Sequence, residues 1–227
     1  DHIGEAWRFA DGLTVIAHAD AAARLAQDDA LGIPAPTTVF DDALDLVIGD
    51  RAVRLDFWPN PDETGNISIH LADSRVLMLV DVFWPGWVPF RNLTLGQDVP
   101  GLLAGHERVL GYEFDTLVSG HVTRLGRRED VLEQREWLGD LLAAVDEAAA
   151  RVAQSAAADR HGATTSWGAY EARVVEVARC CAQATEPKWR ERLGGADVFG
   201  FEHCRALARG RMPVSSEAEV DVAALGD

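Results

Sequence analysis

The first half of the chain alternates apolar and polar residues over short stretches, which is the pattern of half-buried β-strands. Residues 44–48 and 53–57 flank the link Gly49-Asp50-Arg51, so they predict a β-hairpin with one polar face. Residues 67–71 alternate in the same way. Residues 76–80 are apolar throughout, which predicts a strand that is buried on both faces.

The second half of the chain changes to a spacing of three to four residues between apolar positions, which predicts helices. Such spacing runs from about residue 126 to about residue 155. Thr165 or Ser166 can cap a further helix over residues 167–184. A short helix that begins at Glu186-Pro187 and a last helix over residues 199–209 then precede an acidic tail. We expect this helical part to pack on the preceding domain or on a second subunit.

Two of the predicted strands end close to a polar residue that a metal ion can bind. Asp81 follows residues 76–80, and His121 follows the β-prone stretch 114–120, in which Gly120 allows a tight turn. A carboxylate at a buried strand end is costly to desolvate, and a bound cation offsets that cost. The chain also opens on Asp1-His2. These two carboxylates and two histidines can converge on one metal ion; the alternative for Asp81 is a turn cap.

The order and spacing of three short motifs resemble the metallo-β-lactamase fold superfamily. Asp1-His2-Ile3-Gly4 is similar to the end of the leading His-x-His-x-Asp-His motif and the helix start behind it. Asp81 matches the bridging aspartate of the family, and Ser119-Gly120-His121 matches the segment with its last histidine. The resemblance implies an α/β (α+β) fold, a four-layer αββα sandwich, over residues 1–155. A C-terminal helical extension and acidic tail over residues 156–227 would follow it.

Two departures from the family pattern affect the predicted site. The first two histidines of the leading motif would lie before Asp1, so we expect that the N-terminal part of the domain is absent from this chain. The alternative is a chain that has lost part of its site. Alignment on Gly65-Asn66 places Asp62 where the family has a histidine. Asp62 is therefore either a metal ligand or a turn residue that bonds nearby backbone amides.

The resemblance implies a metal centre with Asp1, His2, Asp81 and His121 in one site and Asp62 in the other. Imidazoles and carboxylates suit Zn²⁺, one or two ions per chain, with Fe²⁺ or Mn²⁺ as harder alternatives. Metal-bound hydroxide would then hydrolyse a small molecule such as an ester, lactone, thioester or amide, with Asp1 and Asp81 as catalytic residues. The alternative is a metal-poor binding or scaffold protein of this fold that dimerises through its C-terminal helices.

Aromatic residues are concentrated in the segment that follows Asp81. Trp84, Trp87 and Phe90 all lie within nine residues of this aspartate. One interpretation is that these rings wall a substrate pocket, because binding pockets are lined mainly by apolar and aromatic side chains. The other interpretation is that the rings fill the core beneath their own loop.

Composition limits the classes of partner. The chain has 227 residues with 48% hydrophobic content, which is enough for a sizeable core. Its net charge of −16 counts against nucleic acids and anionic membrane surfaces, because phosphate recognition needs clustered Lys and Arg. No run approaches the roughly 20 apolar residues of a membrane helix. A small-molecule substrate and a homo-oligomer are the partners that remain.

The three cysteines do not have the spacing of a secreted disulfide framework. Cys180, Cys181 and Cys204 form no C-x-x-C pair. We therefore expect a protein of the reducing cytoplasm, in which the adjacent Cys180 and Cys181 act as small buried hydrophobic residues. His203 and Cys204 are neighbours on a predicted helix, so their side chains diverge and do not predict a metal pair.

Overall fold

A computed structural model describes residues 8, 12–27, 34–59, 65–93, 99–121 and 124–212. These residues belong to two compact units, one formed by Asp1–Pro85 with Asp98–Glu133 and the other by Gly86–Gln97 with Gln134–Asp227. The predicted boundary at residue 155 lies inside the second unit. The predicted mixed α/β class is confirmed, since the strands fall in the first unit and most of the helical residues in the second.

The first unit contains two sheets. A pair of parallel strands is formed by β1 (Ile16–His18) and β2 (Thr38–Phe40), and helix α1 (Ala19–Leu25) lies between them in sequence. The second sheet has five strands in the order of the chain, namely β3 (Ala43–Ile48), β4 (Arg51–Phe57), β5 (Ile67–Leu71), β6 (Val76–Met78) and β7 (Thr116–Val118). Neighbouring strands are antiparallel except β6 and β7, which are parallel. Helix α2 (Val99–Leu110) lies between β6 and β7 in sequence.

The predicted hairpin is the β3–β4 pair. Ile48 pairs with Arg51, so the turn has two residues, Gly49 and Asp50, with Gly49 at a φ of 65°. A glycine at the first position of such a turn matches the right-handed twist of the strands. The predicted double-sided burial at residues 76–80 is wrong in part: Leu77 and Leu79 are fully buried, whereas Met78 between them is exposed. The stretch therefore alternates, with one face in the core.

The core of the five-stranded sheet is built on β6 and β7. Leu77, Leu79 and Leu117 pack with rings and branched side chains from the flanking loops and helices, namely Trp58, Val82, Phe83, Val109, Phe114 and Val131. The backbone of Leu117 also exchanges two hydrogen bonds of 2.8 Å with Gly126, which pairs with the outer edge of β7. Both strands are thus fixed along their length by packing and by backbone pairing.

The second unit is helical. Its helices are α3 (Arg128–Arg151, which begins in the first unit), α4 (Gln154–His161), α5 (Ser166–Trp189) and α6 (Ala196–Arg211). Thr165 caps α5, since its hydroxyl accepts a hydrogen bond of 3.0 Å from the Gly168 amide. The predicted break at Glu186-Pro187 is wrong, and α5 continues through Pro187 to Trp189. Proline is tolerated there because only the last turn of the helix loses a backbone bond.

A disulfide joins α5 to α6. Cys181 and Cys204 are bonded, with 5.9 Å between their Cα atoms, and Cys180 is free. The expectation that the cysteines form no disulfide is therefore wrong for Cys181 and Cys204. Cys181 is buried as expected, whereas Cys180 is only partly buried. Among the described residues, we find no helix of the length and apolar character needed to cross a membrane.

The disulfide predicts a specific pattern of thiol labelling. Alkylation in denaturant without reductant should modify one cysteine per chain, because Cys181 and Cys204 are already bonded. Alkylation after reduction should modify all three, as measured by intact-protein mass spectrometry. The variant Cys180→Ser should take no label without reductant and two labels with it. Three labels on the unreduced chain would contradict the assigned pair.

Candidate metal centre

The parallel pairing of β6 and β7 brings Asp81 and His121 to the same edge of the sheet. Met78 pairs with Val118, and the Leu79 amide donates a hydrogen bond of 3.0 Å to the Val118 carbonyl. Asp81 lies three residues beyond Met78, and His121 lies three residues beyond Val118. Because parallel strands end at the same edge, equal offsets from paired residues place these two side chains side by side.

Asp81 and His121 are in direct contact. Nε2 of His121 meets Oδ1 of Asp81 as an ion-pair contact. The side chain of Asp81 is only 9% exposed, whereas that of His121 is 47% exposed. The pair therefore has a carboxylate on the protein side and an imidazole on the solvent side. A carboxylate oxygen and an imidazole nitrogen are ligand types that Zn²⁺, Fe²⁺ and Mn²⁺ accept, so this pair fits the predicted ion.

Both turns that present the pair have left-handed backbone. Asp81 has a φ of 64° and Gly120 has a φ of 83°. Aspartate is among the few non-glycine residues that adopt this conformation at modest cost. A Cβ atom at Gly120 would lie 2.5 Å from Cγ1 of Val80, so the turn before His121 packs closely against the turn before Asp81. The tight approach requires glycine at position 120.

Two side chains that sequence reasoning did not single out bond to these turns. Ser119 is buried, and its hydroxyl donates a hydrogen bond of 3.3 Å to the carbonyl of His121. Asn66 donates a hydrogen bond of 3.0 Å from Nδ2 to the carbonyl of Val80. Both residues lie in segments that resemble family motifs, Gly65-Asn66 and Ser119-Gly120-His121. Their place in these motifs could have indicated a role near the predicted site.

The remaining predicted ligands Asp1, His2 and Asp62 lie outside the described residues. The choice between ligand and turn residue for Asp62 therefore stays open. Within the part of the chain that the structure describes, no group of three or more His, Cys, Asp or Glu side chains has the arrangement of a metal site. The structure thus brings together two of the five predicted ligands, Asp81 and His121.

The three aromatic residues predicted to wall a pocket differ in environment. Trp84 is in the first unit and is buried, with 7% of its surface exposed. Trp87 and Phe90 are in the second unit and are 45% and 60% exposed. There the Trp87 ring lies over Gly194, where a Cβ atom would be 2.7 Å from Cδ2 of the indole. Phe90 packs against Phe199, with 5.3 Å between ring centroids. Their role in substrate binding stays a prediction.

Two other buried histidines have structural partners. His18 caps α1, with Nδ1 accepting a hydrogen bond of 3.2 Å from the Asp20 amide. His203 accepts a hydrogen bond of 2.9 Å at Nδ1 from the Leu93 amide, and burial lowers its pKa to about 4. The sulfur of Cys204, the neighbour of His203, is bonded to Cys181.

Comparison with known proteins gives matches among solved structures only. No family model and no curated protein matches the chain. A metallo-β-lactamase from Pontibacter korlensis is 16% identical, with 56% of this chain and 59% of that chain covered and a TM-score of 0.46. The B3 metallo-β-lactamase BLEG-1 is 22% identical, with 61% and 72% covered and a TM-score of 0.47. A variant of the flavo di-iron protein from Thermotoga maritima is 15% identical, with 60% and 43% covered and a TM-score of 0.45.

The matched structures are of the metallo-β-lactamase fold. This is the superfamily that the motifs around Asp81 and His121 resemble. The chain spans 59% of the length of the Pontibacter protein. At these identities the likeness concerns the fold alone, so any assignment of chemistry depends on this chain's own residues.

The close packing at Gly120 predicts that a single methyl group there disrupts the site. Gly120→Ala should lower the free energy of unfolding by about 2 kcal/mol or more, because alanine is strained at positive φ and overlaps Val80. Thermal or urea denaturation measures the change.

Gly139→Ala is the matched control for this substitution. Gly139 lies in α3, and a Cβ atom there would meet no atom within 4 Å. Alanine should therefore be neutral or stabilise the helix by about 0.5–1 kcal/mol. Equal effects of the two substitutions would show that the turn at Gly120 is not constrained.

Proposed function

We propose that this chain is a metal-dependent hydrolase that acts on a small molecule. The observation that supports this proposal most directly is the contact between Asp81 and His121 at one edge of the β6–β7 pair. Asp81 and His121 would hold the ion, and Asp1, His2 and Asp62 are the further ligands that the motifs predict. When bound, such an ion supplies Lewis acidity and lowers the pKa of a bound water.

The residues of the site have separable tasks in this proposal. Asp81 supplies a carboxylate that the turn at positive φ directs to the sheet edge. His121 is half-exposed, so its imidazole is accessible to solvent and to a cation that it would share with Asp81. Ser119 bonds the backbone of His121 and limits the movement of the turn. The protein part of the site thus combines a buried acidic ligand with a more exposed imidazole.

Zn²⁺ is the ion we propose, one or two per chain, with Fe²⁺ and Mn²⁺ as alternatives that oxygen ligands tolerate. The proposed substrate is an ester, lactone, thioester or amide. The net charge of −16 supports a small-molecule substrate over nucleic acid or an anionic membrane. A homo-oligomer that forms through the C-terminal helices is also part of the proposal. A cytoplasmic location depends on the redox state of Cys181 and Cys204, because disulfides are rare in reducing compartments.

Metal content tests this function. Protein purified without chelators and loaded with Zn²⁺ should retain about one or more ions per chain after desalting, as measured by plasma mass spectrometry. Asp81→Ala and His121→Ala should each lower metal content together with hydrolysis of a panel of esters, lactones, thioesters and amides, because each removes one ligand.

His70→Ala is the control for loss of a histidine from the same sheet. Nε2 of His70 makes a 3.0 Å hydrogen bond with the Glu113 carbonyl, so His70 has a structural partner, and its removal should leave metal content unchanged. A folded wild-type chain that retains almost no metal, or ligand variants with normal metal content, would refute the proposed function. The first result would favour the metal-poor binding or scaffold protein.

A further inference from the structure

Asn66 makes hydrogen bonds to three residues of the first unit, two of which lie in other segments of the chain. Its own carbonyl accepts a hydrogen bond of 2.8 Å from the Trp58 amide, which follows β4. Its side-chain Oδ1 accepts a hydrogen bond of 2.9 Å from the Ile67 amide at the start of β5. Its side-chain Nδ2 donates a hydrogen bond of 3.0 Å to the carbonyl of Val80. Asn66 therefore connects the β4–β5 segment directly to the turn that presents Asp81.

The two side-chain bonds require an amide in one orientation. Oδ1 faces an N–H donor and Nδ2 faces a carbonyl acceptor. Rotation of the amide by 180° would place two donors against each other and two acceptors against each other. No other side chain of this size carries a hydrogen-bond donor and an acceptor on the same terminal carbon atom. The bonds thus select asparagine at position 66.

The bond to the Val80 carbonyl acts on the conformation of Asp81. The carbonyl of Val80 and the amide of Asp81 belong to one planar peptide unit. Rotation of that plane changes φ of Asp81, which has the left-handed value of 64°. Because Asn66 holds the carbonyl at one edge of the plane, it opposes relaxation of Asp81 to negative φ. Such relaxation would turn the carboxylate away from His121.

We propose that Asn66 is a positioning residue for the metal ligand Asp81, an inference that rests on the proposed function. Asn66 acts through the Val80 peptide and keeps the carboxylate of Asp81 at the edge where His121 lies. The close packing of Gly120 against the Val80 side chain restrains the same residue from the opposite turn. Val80 is therefore held both by its carbonyl and by its side chain. Because Asp81 is the next residue, the position of Val80 also restrains the backbone of Asp81.

Asn66→Asp tests the donated bond selectively. The carboxylate keeps an acceptor for the Ile67 amide but places an oxygen against the Val80 carbonyl, so only the bond to Val80 is replaced by repulsion. Asn92→Asp is the matched control, because it makes the same change of charge at an exposed residue of the second unit. Asn66→Ala removes both side-chain bonds without adding charge, and it serves if Asn66→Asp does not fold.

The first measurement is hydrogen–deuterium exchange in the metal-free proteins. Asn66→Asp and Asn66→Ala should accelerate exchange of the amides around residues 79–82, and Asn92→Asp should not. The second measurement is Zn²⁺ affinity by competition with a chromophoric chelator. The Asn66 variants should bind Zn²⁺ about 10- to 100-fold more weakly than wild type, as is usual when a group that orients a ligand is lost.

The two measurements separate failure of this inference from failure of the proposed function. Unchanged exchange at residues 79–82 overturns the positioning role whether or not the chain binds metal. Unchanged Zn²⁺ affinity in the Asn66 variants overturns it as well. A wild-type chain without Zn²⁺ affinity would instead refute the proposed function, and a role for Asn66 toward a metal ligand would fall with it.

Discussion

The parallel pairing of β6 and β7 is the constraint on which the candidate site depends. All other pairs of neighbouring strands in the five-stranded sheet are antiparallel. Within the described sheet, β6 and β7 are therefore the one pair of neighbouring strands whose C-terminal ends lie at the same edge. Asp81 and His121 are 40 residues apart in sequence, and the register Met78 to Val118 also spans 40 residues. The equal separation means that the ladder itself aligns the carboxylate with the imidazole.

Buried packing makes this alignment stable. Leu77 and Leu117 are paired across the two strands and are both fully buried, in one cluster with Phe83 and Phe114. A shift of one residue in either strand would exchange buried for exposed side chains along the pair, which is costly where one face lies in the core. The same shift would separate Asp81 from His121. The core therefore specifies the register, and the register specifies the site.

Sequence alone predicted the parts of this arrangement that are local. The strands, the hairpin at Gly49-Asp50 and the polar residues Asp81 and His121 follow from short patterns along the chain. The bond from Asn66 to Val80 crosses 14 residues, and the disulfide from Cys181 to Cys204 crosses 23. Both depend on which elements pack together, which periodicity does not specify. The continuation of α5 through Pro187 was missed because the proline signal is local, whereas the helix is held by long-range contacts.

The helical unit shows by contrast what a structural buried carboxylate needs. Glu176 lies in α5 and is almost fully buried, and it accepts hydrogen bonds from Arg160, Arg179 and His161. The hydrogen bond from His161 is the largest cause of its lowered pKa, and burial opposes it. This carboxylate is charge-balanced by cations of the chain itself.

Asp81 is buried to a similar degree, and it contacts a histidine that has about half of its side chain in solvent. A buried carboxylate beside an exposed imidazole is suited to share a cation from solution, whereas Glu176, which is bonded to two arginines, is not. The two carboxylates thus differ in the type and exposure of the partners described for them, and this difference supports the proposal of a metal ion at Asp81.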